Sequence, residues 1–245
     1  MCSSDLLPTK GLVENLRLYK SPAEVEKIYD AVKLTDEAFE HICDYIKAGQ
    51  KERDVALELE VFFRKNGAKG PSFDLIVASG ARSALPHGVA GDKVIEEGDL
   101  IVIDMGAILE GYVSDFTRTV MIGKPGEKEK EIYNIVLQAQ LAAIAGIKPG
   151  MTGREADAIA RQVIEEAGYG EHFGHGLGHG LGIVVHEMPG VGPSGEMVLG
   201  PGMMITIEPG IYLPGWGGVR IEDVGLVEEE GLKILTAAGK DFISL

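Results

Sequence analysis

Apolar positions recur every three to four residues over 25–46, at Val25, Ile28, Val32, Thr35, Phe39, Ile42 and Ile46, which predicts an amphipathic helix. Its start is marked by Ser21-Pro22-Ala23-Glu24. Ser stands at the N-cap, Pro at the first helical position, and Glu where it closes a capping box. Gly49 ends the run. His41 and Cys43 ride on this helix and read as packing or solvated positions. A second helix is predicted over 53–66, stopped by Gly67, and a third over 127–145 after the breaker 123–126. A second capping box, Thr152-Gly153-Arg154-Glu155, opens a fourth helix that ends at Gly168. Residues 1–20 show no clear period and read as a lead-in to one unit spanning 21–245.

Between these helices the pattern is that of strands. Residues 73–78 are strand-like, and a loop carrying Leu85-Pro86-His87-Gly88 follows. The β-branched run Leu100-Ile101-Val102-Ile103 then delivers Asp104, and the chain turns near Leu109, Glu110 and Gly111 to return through Ser114-Asp115-Phe116-Thr117-Arg118-Thr119. A hairpin centred between Leu109 and Glu110 would set Asp104 nearly opposite Asp115. Later, Ile205-Thr206-Ile207-Glu208 turns through Pro214-Gly215-Trp216-Gly217-Gly218 and returns through Val219-Arg220-Ile221-Glu222. Centred on Gly215, that hairpin sets Glu208 opposite Glu222. A slip of one residue would move an acid to the other face. Residues 46–67 and 147–168 also align without gaps at an offset of 101, matching Ile46, Lys47, Gly49, Arg53 and Gly67 to Ile147, Lys148, Gly150, Arg154 and Gly168. Each copy precedes strands, a His-Gly loop and an acid-bearing hairpin. Two similar α+β halves facing each other are expected.

With 245 residues, 45% of them hydrophobic, the chain can bury a sizeable core. The formal net charge of −15 argues against a general nucleic-acid or anionic-membrane binder. Cys2 and Cys43, the two cysteines, can build neither a disulfide framework nor a cysteine-type zinc site. No run approaches the roughly 18 apolar residues of a membrane span, and the start lacks a secretory signal pattern. A soluble cytoplasmic protein is expected. The glycine-rich stretches match neither a phosphate loop nor a dinucleotide fingerprint.

Two acids facing each other across a hairpin repel unless one holds a proton or a cation lies between them. The histidines favour the cation. His172, His175, His179 and His186 fall within 15 residues among glycines, and His87 sits in a similar loop. Four carboxylates and an imidazole suit divalent ions of intermediate hardness, namely Mn²⁺, Co²⁺, Fe²⁺ or Zn²⁺. Four negative charges balance two such ions, and a pair about 3.5 Å apart can activate water and polarise a carbonyl. Taken singly, an acid near a turn usually serves solvation and turn geometry. The two hairpin coincidences and the histidine cluster together outweigh that reading. His172 has no spacing argument and reads as structural, while Trp216 is open between a binding role and packing over its turn.

These residues resemble the pita-bread-fold metallopeptidases, and within them the Xaa-Pro peptidases (prolidase and aminopeptidase P). The marks are Leu85-Pro86-His87-Gly88, Asp104-Met105-Gly106, Ser114-Asp115-Phe116-Thr117-Arg118-Thr119, Gly178-His179-Gly180-Leu181-Gly182, Val185-His186-Glu187, Ile207-Glu208-Pro209-Gly210-Ile211-Tyr212 and Val219-Arg220-Ile221-Glu222-Asp223. The resemblance covers residue 17 to the C-terminus. It implies a curved, mostly antiparallel sheet with helices outside and a site for two divalent ions, Mn²⁺ first among the candidates. It implies Asp104, Asp115, His179, Glu208 and Glu222 as ligands, with Asp115 and Glu222 shared by both ions and Glu208 accepting a proton from the attacking water. By the same resemblance His186 contacts the scissile carbonyl or its oxyanion, and His87 and His175 line the substrate site. Arg220 and Tyr212 brace the bridging carboxylate and the intermediate. The substrate would be a proline-containing peptide and the assembly a homodimer. The lead-in looks like the tail of an N-terminal domain that such peptidases carry. Methionine aminopeptidase is the nearest alternative, sharing all five ligands. Arg220 two residues before Glu222, the short hairpin and His175 favour the proline branch. A non-catalytic pita-bread binding module is the other alternative, and the complete ligand set disfavours it.

Overall fold

In the computed structural model, which describes Thr9 and residues 11–245, the helices form where caps and periodicity place them. They are α1 (Leu12–Leu18), α2 (Pro22–Tyr45), α3 (Glu52–Lys65), α4 (Glu127–Gly146) and α5 (Gly153–Glu166). Both predicted capping boxes are closed, at Ser21 and Glu24 for α2 and at Thr152 and Glu155 for α5. Helix α1 is the exception to the sequence reading, since it lies within the aperiodic lead-in. Seven residues make barely two turns, too few for a period to show. The rest of the lead-in, residues 1–8 and 10, lies outside the described residues.

The offset of 101 holds in three dimensions. Helices α3 and α5 are both 14 residues long. Gly49 and Gly150 share a left-handed φ (92° and 93°), as do Gly67 and Gly168 (94° and 86°). The backbone N–H groups of Glu52 and Gly153, both at 3.0 Å, bond to the carbonyls of Lys93 and Met197, again in matching places. Two halves thus repeat one helix-turn-helix and one way of tying it to the strands that follow.

The first half pairs Ile76–Ser79, Leu100–Met105 and Phe116–Met121 as an antiparallel sheet. The second half orders Gly231–Ile234, Asp223–Glu228, Met204–Ile207, Gly178–Gly180 and Glu187–Val191 in a five-stranded antiparallel sheet, beside a hairpin of Gly210–Leu213 and Gly217–Arg220. Helices α2 and α3 bury Phe39, Ile42, Leu59 and Phe63 against Ile101, Ile103 and Phe116. Helices α4 and α5 bury Ile132, Val136 and Ile164 against Ile205, Ile207 and Val219. A smaller apolar cluster, including Ile28, Val32, Val113, Leu181, Met204 and Val224, joins the halves. At the seam the Glu222 N–H donates to the Thr117 carbonyl at 3.0 Å, and Thr119 both donates to and accepts from the Arg220 backbone. The architecture is α+β, two similar halves of antiparallel sheet with helices packed outside, as expected. Among the described residues, no helix is long and apolar enough to cross a membrane.

The two hairpin expectations fare differently. In the second, Gly210 pairs with Arg220 and Ile207 with Asp223, which brackets Glu208 across from Glu222 as expected. In the first, Asp104 pairs with Thr117, and Leu109 with Tyr112, so the register is two residues from the expected one. The turn is Glu110-Gly111, with φ of 49° and 85°. A two-residue hairpin turn twisted to match its strands needs positive φ at both positions, and Gly111 supplies the second at no steric cost. An even shift preserves the face, so Asp115 still points to the same side as Asp104.

The cap of α5 is testable. Thr152 Oγ1 accepts from the Glu155 N–H at 3.2 Å, and the Glu155 carboxylate accepts from the Thr152 N–H at 2.7 Å. Thr152→Ala is expected to lower unfolding stability by about 1 kcal/mol with an unchanged denaturant slope. A shift in urea midpoint corresponding to less than a few tenths of that would show the cap to be idle.

Candidate metal centre and active site

Five strand ends converge on a cleft of about 420 Å³ between the halves. Asp104 lies in the strand Leu100–Met105 and Asp115 just before Phe116–Met121, while His179 is in Gly178–Gly180. Glu208 follows Met204–Ile207, and Glu222 follows Gly217–Arg220. One ligand atom each from Asp115, His179 and Glu222 lie within 4.8 Å of one another. His179 Nε2 is 3.2 Å from Glu208 Oε1 and 3.5 Å from Asp115 Oδ2. The glycines around His179 let its strand sink between its neighbours. A Cβ at Gly178 would come within 2.1 Å of the Thr206 carbonyl oxygen, and one at Gly180 within 2.2 Å of that of Met188.

Three of the four acids are held from behind by side chains. Arg220 donates to Asp104 Oδ2, to the Tyr212 hydroxyl at 2.8 Å and to Thr117 Oγ1 at 3.1 Å. Thr117 donates to Glu222 Oε2 at 2.6 Å. Thr206 donates to Glu208 Oε1 at 3.0 Å and accepts from the His179 N–H at 3.0 Å. Buried Arg118 donates to the backbone carbonyls of Thr117 and Glu222 and to Asp223, which fixes the seam beneath the acids. Asp104 Oδ1 and Glu222 Oε1 are left buried with no hydrogen-bond partner among the described residues. Buried polar oxygens are costly without a partner, so these two mark where a cation fits. His179 has the matching tautomer. Its Nδ1 faces the Gly180 carbonyl at 3.1 Å and so carries the proton of that bond, leaving Nε2 turned to the acids.

The electrostatics agree. Burial, and then repulsion from Asp104, pushes Asp115 well above the usual carboxylate range. Burial, with repulsion from Asp115 next, does the same to Glu222. Burial also raises Asp104, against the opposing charge of Arg220. Burial disfavours the charged form of Glu208 too, but the hydrogen bond and charge of His179 prevail and bring it to about 2. Burial works against a charged His179, yet the bond and charge of Glu208 raise it to about 9. Burial and mutual repulsion thus disfavour the charged forms of Asp104, Asp115 and Glu222, a cost that a divalent ion would offset.

Of the other candidates, His87, His175, His186 and Arg220 line the cleft. Tyr212 stands behind it, between Arg220 and His175 Nε2 at 2.9 Å. His175 Nδ1 meets the Gly176 carbonyl at 2.8 Å, so both its ring nitrogens are engaged and it forms wall. His172 lies outside the cleft near Tyr169. Trp216 packs against the second-half core with Lys128 over its ring, which resolves it as packing. His41 stacks on Phe62 and meets Glu58, away from the cleft. Sequence reasoning singled out neither Thr117 nor Thr206. Each lies two residues from an acid on the same strand face, which is the signal that alternation offers. The apolar wall, Phe73, Ile76, Val89 and Val185, was missed as well.

The family model of metallopeptidase family M24 matches residues 26–229. The chain belongs to that family, and membership implies use of divalent metal. Among particular proteins, it is 52% identical to an uncharacterized peptidase of Bacillus subtilis over 99% of this chain and 69% of that one. It is 51% identical to the Xaa-Pro dipeptidase of Pyrococcus furiosus over 95% of this chain and 67% of that one. The solved structure of an Xaa-Pro dipeptidase from Bacillus anthracis superposes with a TM-score of 0.96 at 56% identity, covering 98% of this chain and 67% of that one. The chain thus spans about two thirds of the length of these relatives.

The raised acids make a signed prediction. Asp115 and Glu222 keep protons in the folded, metal-free chain that the unfolded chain has already lost. The folded state then binds more protons, and stability without metal falls as pH rises above the unfolded carboxylate range. Metal replaces those protons, so the rise in melting temperature on adding Mn²⁺ is expected to grow between about pH 5 and 8. A metal-induced rise independent of pH would contradict this account.

Proposed function

We propose that the chain hydrolyses the peptide bond next to proline, in Xaa-Pro dipeptides or at the N-terminus of Xaa-Pro peptides. Residues 21–245 form the catalytic domain of a cytoplasmic homodimer in this reading, and the resident ions are two divalent cations, Mn²⁺ first. Asp104, Asp115, His179, Glu208 and Glu222 would hold them. The observation that carries the reading is the convergence of four acids and His179 on one cleft, with buried, unpartnered oxygens on Asp104 and Glu222. The Xaa-Pro dipeptidase relative at 51% identity narrows the substrate class.

When bound, the ions polarise the scissile carbonyl and make a water nucleophilic near neutral pH. The rest falls to side chains of this chain. Glu208, at the edge of the cleft beside His179, would accept the proton of the attacking water and return it to the leaving amine. His186 lies exposed at the edge of the cleft, and partial desolvation followed by repulsion from His179 lowers its pKa. It is therefore neutral near pH 7 and presents a ring N–H to the oxyanion that forms at the carbonyl. Arg220 donates to the Tyr212 hydroxyl, and that hydroxyl donates to His175, so the wall beside the acids is braced as a unit. Burial raises Tyr212 to about 12, which keeps its proton in place. His87 also lines the cleft, and Phe73, Ile76 and Val89 supply an apolar wall for the substrate.

Hydrolysis of Ala-Pro, Ala-Pro-Ala and Met-Ala-Ala after chelation and metal addition tests the reading. Metal-restored cleavage of Ala-Pro or of the Ala–Pro bond in the tripeptide is expected. Release of methionine alone would move the chain to methionine aminopeptidase activity. In the same assay Asp115→Ala or Glu222→Ala is expected to abolish both metal binding and turnover. His186→Ala should retain the metal and lose roughly 10²-fold or more in kcat. Full turnover by an Asp115→Ala protein stripped of metal would sink the mechanism.

A further inference from the structure

Glu52 is completely buried, carries a carboxylate, and lies outside the metal centre. Oε1 accepts from the Ser79 N–H at 2.8 Å and the Ser79 hydroxyl at 2.9 Å. Oε2 accepts from the Gly91 N–H at 3.1 Å and from the Arg82 guanidinium. Arg82 reaches on to the Val89 carbonyl at 2.9 Å. One carboxylate thus holds the beginning, the middle and the end of the segment 79–91. At its far side that segment carries Pro86, whose carbonyl accepts from Arg220 at 3.3 Å, and His87, which lines the cleft.

The repeat provides an internal comparison. The residue matching Glu52 in the second half is Gly153, and both N–H groups make the same backbone bond. A Cβ at Gly153 would lie 2.1 Å from the Gly190 carbonyl oxygen. Where the second half brings its own backbone against the helix start, the first half stands its segment away and fills the gap with a carboxylate. Fold maintenance alone is met by glycine in one copy.

We propose that Glu52 is a positioning residue that sets the placement of His87 and of the Pro86 carbonyl on Arg220. This rests on the reading of His87 as part of the substrate wall. The test is a double-mutant cycle in the full chain with Mn²⁺, reading kcat, KM, bound metal and melting temperature for Glu52→Gln, His87→Ala and both together. Glu52→Gln is expected to lower kcat/KM by about 10- to 100-fold, the scale of small misplacements at a reacting centre, with bound metal unchanged. In the His87→Ala background the same substitution should cost almost nothing more, because residues acting through one another do not add. Ser79→Ala, which removes a single donor, carries the same cycle if Glu52→Gln does not fold. Independent, multiplicative losses would overturn the proposal, as would unchanged kinetics in a folded Glu52→Gln protein. A His87→Ala protein with full turnover would instead remove the His87 reading on which it rests.

Discussion

Four carboxylates brought together in a buried cleft are the constraint on which this structure turns. Two unit charges 4 Å apart repel by about 4 kcal/mol even at an effective dielectric constant of 20, so such a cluster would force flexible loops apart. Here each acid sits in or beside a strand paired on at least one side, and strand pairing resists the repulsion. Arg220, His179, Thr117 and Thr206 then offset part of the charge at fixed points. What they leave unpartnered, Asp104 Oδ1 and Glu222 Oε1, is what a cation completes.

The halves share this burden equally and divide the rest. Each contributes a pair of acids from one hairpin, so a repeated unit would suit the proposed site for two like ions. The remaining chemistry is asymmetric. His175, His179 and His186 come from the second half, while His87 and Asp104's neighbouring apolar wall come from the first. The unequal helix starts, a buried Glu52 against a crowded Gly153, follow the same division.

The described N-terminal residues are also tied to the site. Arg17 and Lys20 both meet Glu187, whose carboxylate accepts from the Ile183 and Val184 N–H groups beside His186. The loop bearing His186 is therefore shaped by a residue next to it in sequence and anchored by a helix 170 positions earlier. Arg17 and Lys20, at the end of the aperiodic lead-in, form that anchor.

Short-range chemistry was legible in the sequence alone. The caps at Ser21 and Thr152, the 101-residue repeat and the Gly215-centred hairpin all follow from turns, caps and side-chain periods acting within a few residues, while His179 was picked out by the family resemblance. The register of the first hairpin was off by two because it depends on which residues accept positive φ, and Glu110 gives no strong signal for that. Helix α1 was too short to show a period. The tertiary structure alone decided the contacts between distant segments: Thr117 with Glu222, Arg118 with Asp223, Glu52 with Ser79 and Gly91. Their partners lie 27 to 105 residues apart, and no local period records such a pairing. It exists only once both halves have packed, because burial is what turns a threonine or a glutamate from a solvated side chain into a brace.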